Sequence, residues 1–514
     1  MDLDSYGNSA VSQVFEDGIC PLYWTEDNTD CDDTDILTHP GAPELPGDGI
    51  SQDCVGGDLV LSDLTGVFVA ASGDDANPGT MAAPVQTINA GAALALQEGK
   101  SVFVAAGDYM EKVGTGVSLF GAYESVGWTR NIEGYTTSIN SSTDVAVSIG
   151  STATIVVQGF TINGGPGSVF SYGVKNSGTA TLLNNTIDGG SGAYNIGVFN
   201  DGTATLLNNT IDGGPGGYSS GVVNMYDGTA TLLNNTIDGG SGSHESYGVS
   251  NIGTATLMNN DITGGSGGDY SYGMHNDWGG TATLVNNTID GGSGDMSVGV
   301  SNYGTATLTN NTIDGGLGDG QSFGVWNKSD CTATLSNNTI NGGSGNFYSS
   351  TGVRNEGTAT LAHNVIDSGS GAISYGVTTS GTATLMNNTI DGSGSEVSTG
   401  VYIGAGIVTL LNNDIWGQFQ SYLLQSGGAN ITQLADLNAC TWTGCVEASG
   451  NISDDPLFVD PDAGDFHLQS GSPCINTGID PTSYIAPALA EFDFEDDARP
   501  YGAGWDIGAD EWTP

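Results

Sequence analysis

The chain is poor in basic residues. Only 7 lysines and arginines stand against 58 aspartates and glutamates in 514 residues, and the formal net charge is −51. A surface of this sign repels nucleic acid and anionic membranes, so neither is expected as a partner, whereas cations are. The bases between residues 151 and 417 are Lys175, Lys328 and Arg354, far apart in sequence, which disfavours a lyase that must hold a uronate polymer.

Long apolar runs are also missing. No stretch of about 18 apolar residues occurs, so no transmembrane helix and no membrane insertion are predicted. Met1 leads directly into Asp2 and Asp4, without the apolar core of a signal peptide. If the protein is secreted, its signal is therefore expected to have been removed or to precede the first residue of this sequence.

Glycine is plentiful, with 83 residues, and much of it belongs to one repeated phrase. The phrase T-A-T-L-x-N-N-T-I-D-G-G, or a variant of it, recurs about ten times between residues 152 and 413. Its first threonine stands at positions 152, 179, 203, 229, 254, 281, 305, 332, 358 and 382, at intervals of 24–27 residues. A period of this length predicts a solenoid.

Each repeat contains three short β-prone runs, T-A-T-L, N-T-I and Y-G-V-x-N, separated by corners rich in glycine or asparagine. At roughly 3.3 Å per strand residue, about 25 residues make one triangular coil, and stacked coils pair each strand in parallel with its copies. The predicted fold is all-β, a parallel β-helix solenoid. A leucine-rich repeat, the main alternative at this length, needs a Leu-x-x-Leu-x-Leu frame that the chain lacks.

The repeat also predicts which side chains face inward. Four apolar positions are expected to form inward stacks, typified by Ala204, Leu206, Ile211 and Val222, while the threonines face outward. The second asparagine of each N-N pair, typified by Asn185, is expected to stand at the bend, where asparagine tolerates the left-handed conformation. There it should join an internal amide ladder with its copies.

Composition divides the chain into four regions. Residues 1–64 are an acidic, cysteine-containing module, and residues 65–150 are predicted to hold the first coils and a cap. In this second region an amphipathic helix over Ala83–Gln97 should cover the open end of the core. Residues 151–417 are the regular coils, and residues 418–514, which lose the period, are expected to form a C-terminal cap.

The cysteines are Cys20, Cys31, Cys54, Cys331, Cys440, Cys445 and Cys474. Cys440 and Cys445 flank a tight segment and are expected to pair, and the three N-terminal cysteines are expected to supply one further bridge. Seven is odd, so at least one thiol is free or intermolecular, with Cys331 and Cys474 as the candidates. Such disulfides favour an oxidising, extracellular setting.

The N-terminal module resembles a known motif. It reads D-C-D-D-T-D at 30–35, P-G-A-P-E at 40–44, D-G at 48–49 and D-C at 53–54. This pattern resembles the metal-binding motif of bacterial surface proteins, although it lacks the cysteine common after the glutamate, and Val55 replaces the usual final aspartate. The resemblance implies a metal, and hard oxygen ligands around glycines suit Ca²⁺. The expected ligands are Asp30, Asp32, Asp33, Asp35, Asp48 and Asp53. The alternative is a solvated acidic loop closed by a disulfide.

Two further resemblances concern architecture. Residues 72–80 with 84–88, S-G-D-D-A-N-P-G-T and P-V-Q-T-I, resemble the leading segment of secreted right-handed β-helix proteins. Residues 455–460, 471–478 and 506–512 are similar to choice-of-anchor Q β-helix surface proteins. They imply a right-handed β-helix that is secreted, extracellular or at the cell surface. Those proteins usually carry a surface anchor after this point, which is expected to be missing or unnecessary here.

Some repeated polar residues are candidate sites. The aspartates of the D-G-G corners are Asp188, Asp212, Asp238, Asp290, Asp314, Asp367 and Asp391. Coils about 4.8 Å apart would stack these charges, so either cations bridge the column or it is fully exposed. The alternative is that each aspartate only begins a turn. The G-G-S-G-G-D sequence at 264–269 resembles a calcium-roll repeat, but its period is not nine residues.

Two other columns allow more than one interpretation. The N-x-T sequons at the N-N-T corners can be glycosylation sites or buried, stacked asparagines, and the second is favoured. An outer column follows the core leucine, apolar at both ends and polar midway. It comprises Leu183, Leu207, Leu233, Met258, Val285, Thr309, Ser336, Ala362, Met386 and Leu411. This stripe either binds a partner or is covered by a loop or the terminal segment.

A structural or binding role is favoured over catalysis, because near-identical coils leave no unique site and the histidines form no recognisable triad. The preferred function is an extracellular structural protein, a calcium-stabilised, self-associating filament, sheath or surface-layer subunit. The expected partner is a second copy of the chain, with Ala10–Phe15 or the acidic module docking on it. The alternatives are a glycan-binding surface adhesin and a polysaccharide lyase or hydrolase.

Overall fold

The computed structural model describes residues 29, 31–32, 34–395, 397–417, 422–495 and 497–513. The predicted fold is confirmed, because the chain is a parallel β-helix solenoid with very little helix. The segment Ala10–Phe15 and Cys20 lie outside the described residues. None of the described helices is long and apolar enough to cross a membrane.

Three kinds of strand alternate along the chain, and we call them A, B and C. The A strands, which carry T-A-T-L in the repeats, are Gly66–Val69, Ser101–Ala105, Leu119–Tyr123, Thr154–Gln158, Thr179–Leu183, Thr203–Leu207, Thr229–Leu233, Thr254–Met258, Thr281–Val285, Thr305–Thr309, Thr332–Ser336, Thr358–Ala362, Thr382–Met386, Ile407–Leu411 and Cys445–Ser449. The C strands, which carry T-I-D, are Gly107–Tyr109, Thr137–Asn140, Thr161–Asn163, Thr186–Asp188, Thr210–Asp212, Thr236–Asp238, Asp261–Thr263, Thr288–Asp290, Thr312–Asp314, Thr339–Asn341, Val365–Asp367, Thr389–Asp391 and Asp414–Trp416.

The B strands carry Y-G-V-x-N and vary most in length. They are Val113–Thr115, Val145–Ile149, Phe170–Asn176, Tyr194–Asn200, Pro215–Asn224, Ser241–Asn251, Ser266–Gly267, Tyr270–Asn276, Ser293–Asn302, Leu317–Asn327, Ser344–Asn355, Ser370–Thr379, Ser398–Ile403 and Tyr422–Ser426. The strand Ala429–Ile431 adds to the last of them in the antiparallel sense. An antiparallel hairpin, Phe458–Asp460 with Asp465–Leu468, follows the coils.

The chain divides into two compact units, and the first comprises the residues up to 140 with 146–162 and 176–186. It contains the α-helix Ile88–Glu98, whose N-cap Thr87 accepts a hydrogen bond from the Ala90 amide. The predicted start at Ala83 is wrong, because Ala83 bridges to Thr80 and Val85 bridges to Val69, so that the helix begins only at Ile88. The helix packs on the A strands Gly66–Val69 and Ser101–Ala105 and buries Ile88 and Ala95, as a cap should.

The second unit comprises residues 141–145, 163–175 and 187–514 and holds most of the regular coils. Strands pair with identical residues in register, for example Leu206 with Leu232 and Ile211 with Ile237. The predicted Ala, Leu, Ile and Val columns are almost fully buried, and Leu206 and Val222 are 0 % exposed. Apolar burial along the coil axis therefore forms the core of this unit. It also contains the short helix Leu434–Asn438 and the 3₁₀ turns Pro461–Ala463 and Pro487–Leu489.

The sequence predicts that the second asparagine of each N-N pair both joins the amide ladder and adopts the left-handed conformation. In the structure these two properties belong to different asparagines of the pair. The second asparagine forms the predicted amide ladder: the Asn209 side-chain amide donates to Asn235 Oδ1 at 3.0 Å, and Asn235 donates to Asn260 at 3.0 Å. The left-handed conformation belongs instead to the first asparagine, with φ +54° at Asn208 and +55° at Asn234. The prediction for the second position is wrong on this point, because a residue in the ladder must point its amide into the coil.

The structure also settles which segment covers the apolar outer column in the second unit. Residues 458–495 and 497–511, which we call the C-terminal strap, pack Ile485 and Ala490 against Ala362, Met386 and Leu411. Side-chain amides of the coils fasten it: Asn337 donates to the Phe492 carbonyl at 2.7 Å and Asn387 donates to Ile479 at 2.7 Å. Coverage by the terminal segment is thus confirmed for this part of the column.

The cysteine predictions are confirmed where the structure describes them. Cys440 pairs with Cys445, and Cys31 pairs with Cys54 as the bridge of the N-terminal module. Cys331 and Cys474 are both free thiols and both are buried.

Candidate functional site: an aromatic and basic face

The carboxylates of the N-terminal module are held by local hydrogen bonds. Asp30 and Asp33 lie outside the described residues. Asp32 accepts from the Thr34 amide and hydroxyl, and this hydroxyl bond lowers the pKa of Asp32 below its usual range. The other described candidates accept from main-chain amides close by: Asp35 from Leu37, Asp48 from Ile50 and Asp53 from Val55. The structure thus places each of them beside a turn.

One further carboxylate of the module bears on metal binding. Glu44 accepts from the Asp53 amide with Oε1 at 2.9 Å, while its Oε2 is buried and has no hydrogen-bond partner among the described residues. Burial is the main cause that raises the pKa of Glu44, and Asp53 adds to it. Across the described ranges, no group of three or more His, Cys, Asp or Glu side chains converges on one point. A cation near Glu44 Oε2 would satisfy this orphaned oxygen, although the described residues supply no converging set of ligands around it.

The aspartates of the D-G-G corners act as turn residues. Asp188 Oδ1 accepts from the Gly190 amide at 2.6 Å, and Asp212, Asp238 and Asp314 repeat this bond with the second glycine that follows. The prediction that each aspartate begins a turn is confirmed. Burial raises the pKa of Asp367 to about 6, with the neighbouring aspartates adding to the effect. The column is therefore partly desolvated rather than fully exposed.

The structure also shows where the calcium-roll segment and the sequon asparagines lie. Asp269, the last residue of the G-G-S-G-G-D segment, lies 3.2 Å from the imidazole of His244. In the sequons, the acceptor is the first asparagine of each pair. Asn208 and Asn234 are exposed, so the buried, stacked asparagine is their neighbour and not the sequon residue itself.

Side chains that differ from coil to coil, many of them aromatic or charged, are concentrated on the outer face of the B strands. Three outward columns follow the register. The first column contains Tyr194, Tyr218, Glu245, Tyr270 and Met296. The second contains Ser220, Tyr247, Tyr272, Val298, Phe323, Thr351 and Tyr375. The third contains Phe199, Val223, Ser250, His275, Ser301, Trp326, Arg354, Thr378 and Tyr402. We call this surface the aromatic face.

Rings stack from coil to coil along the aromatic face. The centroids of Phe170 and Tyr194 are 5.0 Å apart, those of Tyr194 and Tyr218 are 4.7 Å apart, and His244 lies 5.6 Å beyond Tyr218. Phe170 is 46 % exposed and Tyr194 is 38 % exposed. These centroid distances lie in the range where aromatic pairs attract, and the exposure of the rings leaves part of their surface open to solvent.

A second group of rings continues the face. Tyr247 and Tyr272 stack at 5.3 Å with an interplanar angle of 7°, and His275 lies 5.0 Å from Tyr272 and 5.2 Å from Tyr303. Burial lowers the pKa of His275 to about 4, so this imidazole is neutral near pH 7. Its Nδ1 is buried without a hydrogen-bond partner among the described residues.

Lys328 and Arg354, which are one repeat apart in the sequence, meet on Trp326. Lys328 Nζ lies 2.7 Å from the centroid of the indole and 5.0 Å from that of Tyr303. Arg354 Cζ lies 4.6 Å from the indole centroid. Glu356 accepts from the arginine at 2.9 Å from Nε and 2.7 Å from Nη2. We call Lys328, Trp326 and Arg354 the cationic centre.

An open cavity adjoins this centre. Its volume is about 280 Å³, and Phe323, Arg354, Glu356, Tyr375 and Tyr402 contribute to its lining together with several serine and threonine hydroxyls. Apolar rings with a few charged and hydroxyl groups are the lining that small polar ligands use, although this cavity is at the small end of ligand pockets.

This face was not predicted from the sequence. The repeated residues predicted the core, and the x position of Y-G-V-x-N is not one of them. That position, read down the coils, is rich in rings and charges, and this departure from the repeat was the available signal. Lys328 and Arg354 stand one repeat apart in the sequence and are therefore in neighbouring coils, but the contact of both with the Trp326 indole is visible only in the structure.

Comparisons with known proteins give one sequence match. Residues 30–58 match the family model Cu-binding_MopE, described as "Putative metal-binding motif". No curated protein matches the sequence. The matched motif suggests a metal in the N-terminal module and gives no information about the coils.

Solved structures with the same kind of fold are distant. Pectate lyase Pel9A is 14 % identical, with 88 % of this chain and 98 % of that chain covered and a TM-score of 0.37. The GH136 lacto-N-biosidase from Eubacterium ramulus is 14 % identical over 75 % of this chain and 67 % of that one, with a TM-score of 0.26. A rhamnogalacturonan lyase is 12 % identical over 77 % and 90 %, with a TM-score of 0.19. Values this low carry no inference about function.

Proposed function

We propose that this protein binds glycan chains along the aromatic face. The observation that supports this is the run of solvent-accessible, stacked rings from Phe170 to Tyr218, repeated at the spacing of the coils. A sugar ring has an apolar face of C–H groups and a polar rim of hydroxyls. The apolar face packs on an aromatic ring while the rim stays in water or meets hydroxyls and charges beside the ring.

The exposed rings of the stack from Phe170 to Tyr218 are surplus to the requirements of the fold, whereas Tyr272 and Phe323 pack with Val298 in a small buried cluster. The core is already closed by the Ala, Leu, Ile and Val columns and by the asparagine ladder, and these are kept in a coil whose B strand carries no ring. In that strand, Ser293–Asn302, the three columns are occupied by Met296, Val298 and Ser301. Large exposed rings at neighbouring positions therefore favour a binding surface over a structural need.

Affinity electrophoresis in gels that contain plant, algal or bacterial polysaccharides tests this function. The double variant Tyr194→Ala/Tyr218→Ala should lose about tenfold in affinity for any polymer that retards the native protein. Tyr226→Ala is the matched control, since this tyrosine is 71 % exposed and belongs to a turn outside the stack. Native protein that is retarded by no polymer, or a double variant that binds as well as the control, would exclude the aromatic face as a glycan surface.

Metal binding by the N-terminal module is a second function, supported by the family match over residues 30–58 and by the orphaned oxygen of Glu44. We propose Ca²⁺ as the ion. The matched family is named for copper, but the donors here are carboxylate oxygens, and both cysteines of the described module are in the Cys31–Cys54 disulfide. Oxygen donors suit Ca²⁺, while copper prefers imidazole and sulfur.

Calorimetry on protein treated with EDTA, followed by titration with Ca²⁺ or Cu²⁺, distinguishes the two ions. Binding of Ca²⁺ that is weakened by Glu44→Gln and unchanged in Asp108→Asn, an exposed carboxylate elsewhere in the first unit, is the expected result. Heat evolved with Cu²⁺ alone would make the ion copper, and no heat with either would exclude a metal.

The self-associating filament and the secreted location expected from the sequence stay predictions. Glycan binding is compatible with either. Negative-stain microscopy with and without EDTA tests assembly, and a uniform monomer in calcium would exclude the filament.

A further inference from the structure

Lys328 stands out because its ammonium makes no direct ion pair among the described residues. The chain has 58 acidic residues, yet among the described residues the Lys328 ammonium has no carboxylate within ion-pair distance. It lies over the Trp326 indole and beside Tyr303 instead. Burial is the main cause that lowers the pKa of Lys328, to about 8, so the lysine is still mostly charged at neutral pH. Glu356 attracts the ammonium from beyond ion-pair distance and partly offsets the effect of burial on the pKa of Lys328. The two cations Lys328 and Arg354 thus share this one neighbouring carboxylate, which leaves room for a further anion.

Arg354 supplies a second cation on the same indole. Glu356 engages only its Nε and Nη2, both through a single carboxylate oxygen, Oε1. Arg354 also lines the cavity together with Phe323 and Tyr402. The guanidinium therefore offers donors to a group in the cavity while Glu356 holds it in place.

We infer that the cationic centre of Lys328, Trp326 and Arg354 holds an acidic group, a carboxylate or a sulfate, of a sugar unit in the bound glycan. This inference rests on the proposed glycan-binding function and adds the chemical class of one unit. The sugar ring packs on the aromatic side chains, and its acidic group lies between the ammonium and the guanidinium.

The rest of the molecule limits how acidic the glycan can be. With a net charge of −51, the protein repels a chain that carries a charge on every sugar. In the stack from Phe170 to Tyr218 the surface is made of rings and suits neutral sugars. At physiological ionic strength, charges farther than about 8 Å are screened, so one acidic group at the centre is attracted despite the overall charge. The ligand is thus a largely neutral glycan with isolated acidic units.

The alternative is that Lys328 merely shields the indole. In that case the methylene stem matters and the charge does not. Lys328→Met keeps the stem and removes the charge, so it separates the two possibilities. Lys175→Met is the matched control, because Lys175 also lies over two rings, 5.6 Å from both Tyr172 and Phe199, without a second cation beside it.

Glucuronoxylan and its carboxyl-reduced form are suitable probes, together with a sulfated galactan and its desulfated form. Each pair shares one backbone and differs in the acidic group. Affinity electrophoresis of the native protein, Lys328→Met, Arg354→Met and Lys175→Met should show that the native protein prefers an acidic form by about tenfold. Lys328→Met and Arg354→Met should lose that preference and bind the acidic and neutral forms alike, and Lys175→Met should prefer the acidic form as the native protein does.

Each outcome decides between the hypotheses. Preference for glucuronoxylan identifies a carboxylate and preference for the sulfated galactan a sulfate, and both support the inference. Equal retention of acidic and neutral forms, or a preference that survives in Lys328→Met and Arg354→Met, overturns it while the glycan-binding function stands. Retention of no polymer overturns the glycan-binding function and this inference together.

Discussion

At the scale of the residue, the paired asparagines show how one sequence position can control a whole column. The side chain of the second asparagine donates to its copy in the next coil. Its Oδ1 also accepts from a main-chain amide, since the main-chain N–H of Asn209 donates to Asn235 Oδ1 at 2.9 Å. The asparagine that ends each B strand forms a further ladder, with Asn224 donating to Asn251 at 2.8 Å. These bonds satisfy buried polar groups that the turns would otherwise leave unpaired.

Asn235→Ala should therefore destabilise the protein strongly. The variant removes the acceptor of both Asn209 donors and the donor to the Leu206 carbonyl. A loss of roughly 2–4 kcal/mol in the free energy of unfolding is expected, since each buried unsatisfied group costs about 1–3 kcal/mol. Urea unfolding measures it. Asn234→Gly, one residue away, is the control, because glycine adopts the positive φ of that position freely. Equal losses in the two variants would contradict a special role for the ladder.

Asp414 is a buried carboxylate with a defined effect of pH. It is 0 % exposed and accepts from the Asp454 amide, and burial raises its pKa to about 7. Because the folded pKa lies above the unfolded value, the folded state is favoured below pH 3.8 and this stability is lost as the pH rises through 7.

Asp414→Asn should accordingly stabilise the protein at pH 8 and have little effect at pH 4. The upper limit of the gain is about 4 kcal/mol, from about 1.4 kcal/mol for each pKa unit. Thermal melts of both proteins between pH 4 and pH 9 test this, with Asp201→Asn in an exposed turn as the control. A difference between variant and native protein that does not grow with pH would contradict it.

At the scale of the element, the C-terminal strap explains why residues 458–495 and 497–511 leave the repeat. They pack beside the A strands Thr358–Ala362, Thr382–Met386 and Ile407–Leu411, where the outer column is apolar. In this part of the molecule the outer side chains are buried by the strap and not by another coil. Ile485, 6 % exposed, is one of its contacts, while its neighbour Tyr484 is 44 % exposed.

Ile485→Asp should release the strap and leave the coils folded, because a buried unpaired charge is unfavourable and the strap can move into water. Hydrogen exchange should rise in residues 475–511 and stay unchanged in residues 203–330. Tyr484→Asp, with the charge already in solvent, should exchange like the native protein. Unfolding of the whole chain by Ile485→Asp would show that strap and coils form one cooperative unit.

At the scale of the whole molecule, each coil of the second unit contacts chiefly its two neighbours. Thr203 pairs with Thr229, which pairs with Thr254, and the same holds for every position along these strands. In a solenoid of this kind stability is a sum of coil and interface contributions, so coils are interchangeable as long as the register is kept.

Deletion of residues 229–253 should consequently yield a folded protein. The deletion joins Gly228 to Thr254. Because Thr254 occupies the same position of the repeat as Thr229, it takes the place of Thr229 opposite Thr203. The melting temperature should stay within about 5 °C of the native value. Deletion of residues 229–240 removes half a coil and should abolish cooperative melting by circular dichroism. Equal behaviour of both deletions would contradict the coil as the unit of stability.

Much of the fold was accessible from the sequence because a repeat restates the same local physics many times. The period predicted the solenoid, and the recurring Ala, Leu, Ile and Val positions predicted the core. Pairing of Cys440 with Cys445 followed from their proximity. The helix start was misplaced because a bridge between Val69 and Val85 overrides local helix propensity. The six metal candidates stay a prediction, since two of them lie outside the described residues and the others bond to their own turns.

The sequence by itself determined the coil: its length, its inward columns and its asparagine ladder all follow from periodicity, and periodicity needs no knowledge of what lies across the molecule. Only the tertiary structure decided what the coils present to solvent. It brought Lys328 and Arg354 together on Trp326, aligned the rings of the B strands and laid the strap over the A strands. These features join residues from different coils or from outside the repeat, and their contacts depend on register and corner length rather than on any local pattern.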